Sequence, residues 1–240
     1  MKIKEKLLLD NAGLKKYGPI NIVIFGDSVS HGAMNGYQDY ENVYWNRLRR
    51  KLNAFRDYVP VNMINASIGG AISKEALERI DGQVLKHEPD LIIVCFGLND
   101  VNNSLEEYIS ALDGIFKRCL EDGRDVIFMT PNMLNTSVVE DTPKQYFDYA
   151  HKTAEMQNSG RMDEFMAAAT ALAESHGITV CDCYAKWKEL SKTQDITPLL
   201  ANRINHPTPE MHELFAESLY EILIGEPSSN KTSDSTMYSE

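Results

Sequence analysis

Three times in its first hundred residues the chain repeats one pattern: a short apolar run, a polar glycine-bearing turn, then a helical stripe. Asn21-Ile22-Val23-Ile24-Phe25 runs into Gly26-Asp27-Ser28, Val59 to Asn65 into Ala66-Ser67-Ile68-Gly69-Gly70, and Asp90 to Phe96 into Gly97-Leu98-Asn99-Asp100. Continuous Ile, Val and Phe without polar alternation marks strands buried on both faces, and such strands belong to parallel sheets. Between the first two runs, Val43, Tyr44, Leu48, Leu52 and Phe55 fall at three- and four-residue spacing, the stripe of a helix expected over residues 40–55. Strand and helix in strict alternation predicts a doubly wound α/β fold, because right-handed crossovers place helices on both faces. The expectation is a three-layer sandwich around a parallel sheet of about five strands, Asp125–Met129 and Ile178–Cys181 supplying the last two.

The remaining segments fit this frame. Helices are expected over residues 3–17, 74–85, 105–120, 184–190 and 209–223, the last with Thr208 as N-cap and Pro209 at its first position. A longer helical stretch, 144–175, is expected to break near Asn158-Ser159-Gly160. Residues 133–143 and 192–205 read as loops. A chain of 240 residues suits one domain, placed at 1–224, and the polar segment 225–240 reads as a disordered tail.

Composition excludes several classes. A net charge of −11 opposes binding to nucleic acid, and the one basic cluster, Arg47, Arg49, Arg50 and Lys51, reads as a solvated helix face. Leu7-Leu8-Leu9 is too short for a membrane span or the core of an export signal. The four cysteines include two in apolar strand-like runs, Cys95 and Cys181, which favours a reducing, cytoplasmic setting, although a chain trimmed of its signal would read the same. No spacing of His, Cys or acidic residues builds a metal site, and no cofactor is expected. The sequence leaves assembly into a homo-oligomer open.

Taken alone, Asp27-Ser28 after a strand reads first as a helix cap and second as an exposed serine at the ligand-binding end of a sheet. Four separated blocks decide between them. Phe25-Gly26-Asp27-Ser28, Asn65-Ala66-Ser67-Ile68-Gly69-Gly70, Gly97-Leu98-Asn99-Asp100 and His206-Pro207, in that order, resemble the four blocks of the SGNH/GDSL hydrolases, with Val29 where the older name has Leu. The resemblance spans about residues 20–224 and implies a flavodoxin-like sheet and a carboxylic ester hydrolase. On it, Ser28 is the nucleophile and His206 its base, and the N–H groups of Ser28 and Gly70 with the Asn99 amide form the oxyanion hole. Asp27 and Asp100, turn residues at two strand ends, and Tyr37 beyond the first turn are expected on the substrate side. His31 reads as a pocket or surface residue.

One position departs from the family. An Asp usually stands three residues before the His, and here Arg203 does, which cannot accept a hydrogen bond from the ring. Either the main-chain carbonyl of Arg203, or Asn202, or Asn205 is expected to orient His206. A polar rim of Asn35, Gln38, Asn102, Asn103, Asn132 and Asn135 suits a sugar, and the resemblance, to a family whose members often remove acetyl groups from carbohydrates, implies a short acyl, chiefly acetyl, ester of a carbohydrate or small molecule as substrate. The alternatives are a lysophospholipase or thioesterase, and a non-catalytic glycan-binding member of the fold.

Overall fold

The computed structural model describes residues 1–56 and 59–225. In chain order its elements are α1 (Ile3–Leu7), α2 (Asn11–Tyr17), β1 (Ile20–Gly26), α3 (Ser28–His31), α4 (Tyr44–Ala54), β2 (Val61–Asn65), α5 (Ser73–Gln83), β3 (Leu91–Cys95), α6 (Leu105–Leu120), β4 (Asp125–Met129), α7 (Phe147–Asn158), α8 (Arg161–Ser175), β5 (Thr179–Cys181), α9 (Cys183–Ser191) and α10 (His212–Ile224). The five strands form one parallel sheet in the order β2-β1-β3-β4-β5. This is the expected doubly wound α/β fold.

Position in the sheet follows from side-chain character. Every residue of β3 is buried, and β1 is buried at all but one position. The edge strands β2 and β5 are shorter in apolar content and partly exposed, as edges that avoid pairing with other chains usually are. Helices pack in two groups, α4 against α10, and α5 against α6 with α6 against α8. Phe25 of β1 meets Phe96 edge to face at 5.2 Å between centroids, and Phe116 of α6 meets Phe128 of β4 at 5.5 Å, which seats the core directly on the sheet.

The strand order reverses between β1 and β3, which pair from Ile22 with Leu91 to Gly26 with Cys95. In open α/β sheets the crevice outside such a switch point is where ligands bind, because the loops on either side diverge to opposite faces. Ser28 follows β1 and Asn99 follows β3, so both stand at its mouth.

Some boundaries differ from the sequence expectation. The helix over residues 3–17 is two helices, because the Asp10 carboxylate accepts the N–H of Gly13 and caps a second start. The first of them is held by Lys6, whose buried ammonium bonds the Asp90 carboxylate at the foot of β3. Helix α4 starts at Tyr44, since the Asp39 carboxylate takes the N–H groups of Glu41 and Asn42 into a turn. At the C-terminal end Thr208 is not the cap of α10: its carbonyl accepts from Met211 and His212 in a preceding turn, and the helix begins at His212. The tail placed at 225–240 falls, from residue 226, outside the described residues.

Candidate active site

Ser28 is delivered by a strand-to-helix turn with little room to spare. At Gly26 a side chain would put its Cβ 2.6 Å from the Cys95 carbonyl oxygen and 2.6 Å from Ser30 Oγ, so only glycine lets β1 end this close to β3. Asp27 then caps α3, its Oδ1 accepting the N–H of Val29 at 3.0 Å. Its carboxyl is fully buried, and burial first, with the nearby Asp100 charge adding to it, pushes its pKa up to about 7. Asp27 therefore supports the turn from beneath. The expectation that it faces substrate is corrected by that burial.

His206 reaches Ser28 from the far end of the chain. Its Nε2 lies 2.9 Å from Ser28 Oγ, and its Nδ1 lies 2.7 Å from the main-chain oxygen of Met34. A carbonyl only accepts, so Nδ1 carries the hydrogen and the neutral ring leaves Nε2 as acceptor for the serine hydroxyl. Burial lowers the His206 pKa below its ordinary value, opposed by the bond to Met34, so this neutral form is the resting one at pH 7.

None of the three expected orienters touches the ring nitrogen; Met34 takes that place. Gly32, in the left-handed region at φ 92°, turns the chain after α3, and the Met34 N–H bonds the Tyr37 carbonyl at 2.9 Å, which points the Met34 oxygen at the histidine. The Arg203 guanidinium instead pairs with Asp141 at 2.7 Å, and its backbone sits at φ 61° in the tight turn before His206. Asn202 builds that turn. Its Oδ1 accepts the N–H groups of Ile204, Asn205 and His206 at 3.1, 3.0 and 3.0 Å, and its amide donates to Asn205 Oδ1 at 2.9 Å. The turn is anchored to the loop after β4, where Asn132 donates to the Asn205 carbonyl and the Asn135 N–H to the Ile204 carbonyl, each at 2.9 Å.

Two further loops close on the serine. After β2, Gly70 adopts φ 77°, and a Cβ placed on Gly69 would lie 3.9 Å from that of Ser28. After β3, the Asn99 amide donates to the Ala71 carbonyl at 3.1 Å, which joins the two loops. Asp100 fastens the same junction from inside: it is buried, and its Oδ1 accepts the N–H of Ser73 at 2.8 Å and its hydroxyl at 2.5 Å. It too is structural rather than on the substrate side. Among the described residues the N–H groups of Ser28 and Gly70 have no acceptor.

Ser28, Gly70, Asn99 and His206 line one cleft of about 380 Å³, with Ala33, Met34, Asn35, Gly36, Gly69, Tyr146, Tyr149, Asn202, Ile204 and Asn205. Tyr37 is half exposed and outside this lining, its backbone tied to Met34. Of the polar rim named from the sequence, Asn35 alone lines the cleft. Asn132 and Asn135 are fully buried loop anchors, and Gln38 pairs with Ala33 across the turn that carries Met34. His31 stands beside Gly69 and shares a hydrogen bond with Tyr40 at 3.1 Å. Tyr146 just before α7 and Tyr149 in its first turn, missed in the sequence, sit three residues apart, a spacing that could have marked a shared face. Among the described residues no three His, Cys, Asp or Glu side chains converge to hold a metal ion, and no helix is long and apolar enough to cross a membrane.

Comparisons with known proteins bear on this cleft. A family model described as GDSL-like lipase/acylhydrolase matches residues 24–214. A curated relative, the uncharacterized lipoprotein YqeF of Bacillus subtilis (strain 168), is 30% identical over 95 residues, 39% of this chain, and the match spans only 37% of that protein's length. Among solved structures, the acetylxylan esterase Axe2 of Geobacillus stearothermophilus is 20% identical with a TM-score of 0.67, covering 86% of this chain and 94% of that one. A lipase/acylhydrolase of Enterococcus faecalis is 21% identical with a TM-score of 0.67, covering 85% and 95%. Both share the fold. Variants of Axe2 with a serine or a histidine replaced by alanine are described as catalytic mutants.

Proposed function

The chain belongs to the GDSL-like lipase/acylhydrolase family, and from that premise we propose that it is a serine ester hydrolase working through an acyl-serine intermediate on short acyl, chiefly acetyl, esters of carbohydrates. The observation that carries this reading is the relay from Met34 O through the His206 ring to Ser28 Oγ, at 2.7 and 2.9 Å, facing a cleft with unpaired main-chain N–H groups. In this reading His206 takes the hydroxyl proton as Ser28 Oγ bonds to the ester carbonyl carbon. The oxygen that becomes negative is held by the N–H groups of Ser28 and Gly70 and by the Asn99 amide, donors worth roughly 3 kcal/mol each in comparable sites. His206 then passes its proton to the leaving alcohol as the ester C–O bond breaks. Water repeats the sequence on the acyl-serine, giving the free acid and restoring the serine.

No carboxylate completes a triad in this scheme. The Met34 carbonyl fixes the ring tautomer and orientation, the part of a triad acid's role that a neutral oxygen can supply. Two observations support a short acyl group: the cleft, at about 380 Å³, is near the small end of ligand pockets and must hold both halves of the ester, and glycines 36, 69 and 70 form part of its wall. One solved structure that shares the fold is an acetylxylan esterase, an enzyme of the class proposed here.

The test is release of nitrophenol from nitrophenyl esters of increasing acyl length, with acetylated sugars alongside. Acetate is expected to be preferred, and Ser28→Ala to lower kcat by at least about four orders of magnitude. Equal rates for wild type and Ser28→Ala would remove the enzymatic reading, and a preference for long acyl chains would replace it by a lysophospholipase or thioesterase.

A further inference from the structure

The cleft has a second wall that the hydrolytic scheme does not use. Tyr146, which precedes α7, and Tyr149 in its first turn stand three residues apart, on one face, and both line the cleft that holds Ser28 and His206. Elsewhere the buried tyrosines have partners: Tyr44 with Ser30 at 2.8 Å, Tyr108 with the Phe96 carbonyl at 2.9 Å, and Tyr184 with Gln157 and Asp163. Among the described residues the hydroxyls of Tyr146 and Tyr149 and the side-chain amide of Asn35 have none, and Tyr146 is 48% exposed at the mouth. Aromatic faces with free polar tips, beside a free amide, suit a ligand that is itself an apolar face edged by hydroxyls. An alkyl chain laid there would strip water from three polar groups and return no hydrogen bond.

Charge narrows the ligand further. None of the described residues lining the cleft is Asp, Glu, Lys or Arg, and its histidine rests neutral. The Arg203 cation beside it is turned away onto Asp141. A phosphate-bearing alcohol or thiol would therefore meet no cation in the cleft, on a chain whose net charge is −11. Resting on the esterase reading above, we infer that Tyr146, Tyr149 and Asn35 form the alcohol-side subsite, which seats the ring of an uncharged sugar and selects against anionic leaving groups.

The experiment compares three acetyl esters, a monoacetylated methyl glucoside, its phosphorylated counterpart and ethyl acetate, whose alcohol is too small to span the subsite. In the Tyr146→Ala, Tyr149→Ala double variant the ratio of kcat/KM for the glucoside to that for ethyl acetate is expected to fall about tenfold, mainly through KM. Tyr149→Phe, which keeps the ring, is expected to retain most of that ratio. Tyr17→Ala, an exposed tyrosine at the opposite ends of the strands, should leave it unchanged. A ratio untouched by the double variant would overturn the subsite, and turnover of the phosphorylated ester as fast as the neutral one would overturn the charge argument. Should the wild type hydrolyse no ester at all, the esterase reading fails separately. Saturation-transfer NMR of methyl glucoside with Ser28→Ala protein, with and without the two tyrosines, then still decides the subsite: transfer that needs them supports it, and transfer indifferent to them sinks it.

Discussion

Met34 gives His206 a hydrogen-bond acceptor without adding a charge beside it. A carboxylate in that place would raise the imidazole pKa, whereas here burial outweighs the carbonyl bond and the pKa falls below its ordinary 6.5. A base with a lowered pKa stays neutral, and so competent, to lower pH. The acid limb of kcat/KM against pH is therefore expected below 6.5, and a limb above it would mean that a negative group reaches the ring. Asn202 acts through the turn rather than on the proton. Removing an acceptor of three N–H groups costs roughly 1–3 kcal/mol of order in that turn, so Asn202→Ala should lower kcat/KM about 10- to 100-fold while leaving the acid limb in place. Asn205→Ala, which removes a single partner of Asn202, should lose less, and both variants should keep more activity than Ser28→Ala, with circular dichroism confirming the fold. Ser28, Gly70, Asn99 and His206, which line one cleft, could be singled out from sequence because the proposed chemistry would use their side chains, or the lack of one. Met34 could not, since it contributes a main-chain oxygen that any residue carries, from 172 positions away.

At the scale of elements, the junction of β1 with α3 decides whether the cleft exists. The Cβ added by Gly26→Ala would press on the backbone oxygen of Cys95, in a strand that is paired on both sides and cannot retreat. Such overpacking costs typically 1–3 kcal/mol, and a chain of this length loses roughly 2–4 °C of Tm per kcal/mol, so a drop of several degrees is expected in calorimetry. Esterase activity should fall further than the unfolded fraction explains, because the displaced turn carries Ser28. An unchanged Tm would show that β1 and β3 can separate there. Elements whose ends are set locally were legible: α6 and β4 match their expected ranges at both ends, α6 because Ser104 caps it and acidic residues fill its first turn. Elements whose ends depend on a competing turn were not. Asp10 divided the first helix, and Thr208 spent its carbonyl on a turn before α10, choices that periodicity does not record.

Across the whole molecule, two buried titratable groups pull the pH dependence of stability in opposite directions. Asp27 titrates near 3.8 when unfolded and about 7 when folded, so between these values the native state holds the extra proton and stability falls as pH rises. His212 is buried at the start of α10, stacked on Tyr44 and accepting its N–H through Nδ1 at 3.3 Å. Burial lowers its pKa from 6.5 to about 3, so in that window the unfolded state holds the extra proton and stability rises with pH. From about pH 4 to 6.5 the two contributions oppose each other, each with a limiting slope of about 1.4 kcal/mol per pH unit. Single variants separate them. In urea unfolding from pH 4 to 8, the stability of the Asp27→Asn variant minus that of wild type should climb until about pH 7 and then level. The same difference for His212→Gln should decline as pH rises to 6.5 and then stay flat, whatever constant offset the lost stacking adds. Two differences that run parallel would mean that at least one of these side chains exchanges its proton with solvent in the folded state, and that the interior beneath α3 or α10 is wetter than its packing implies.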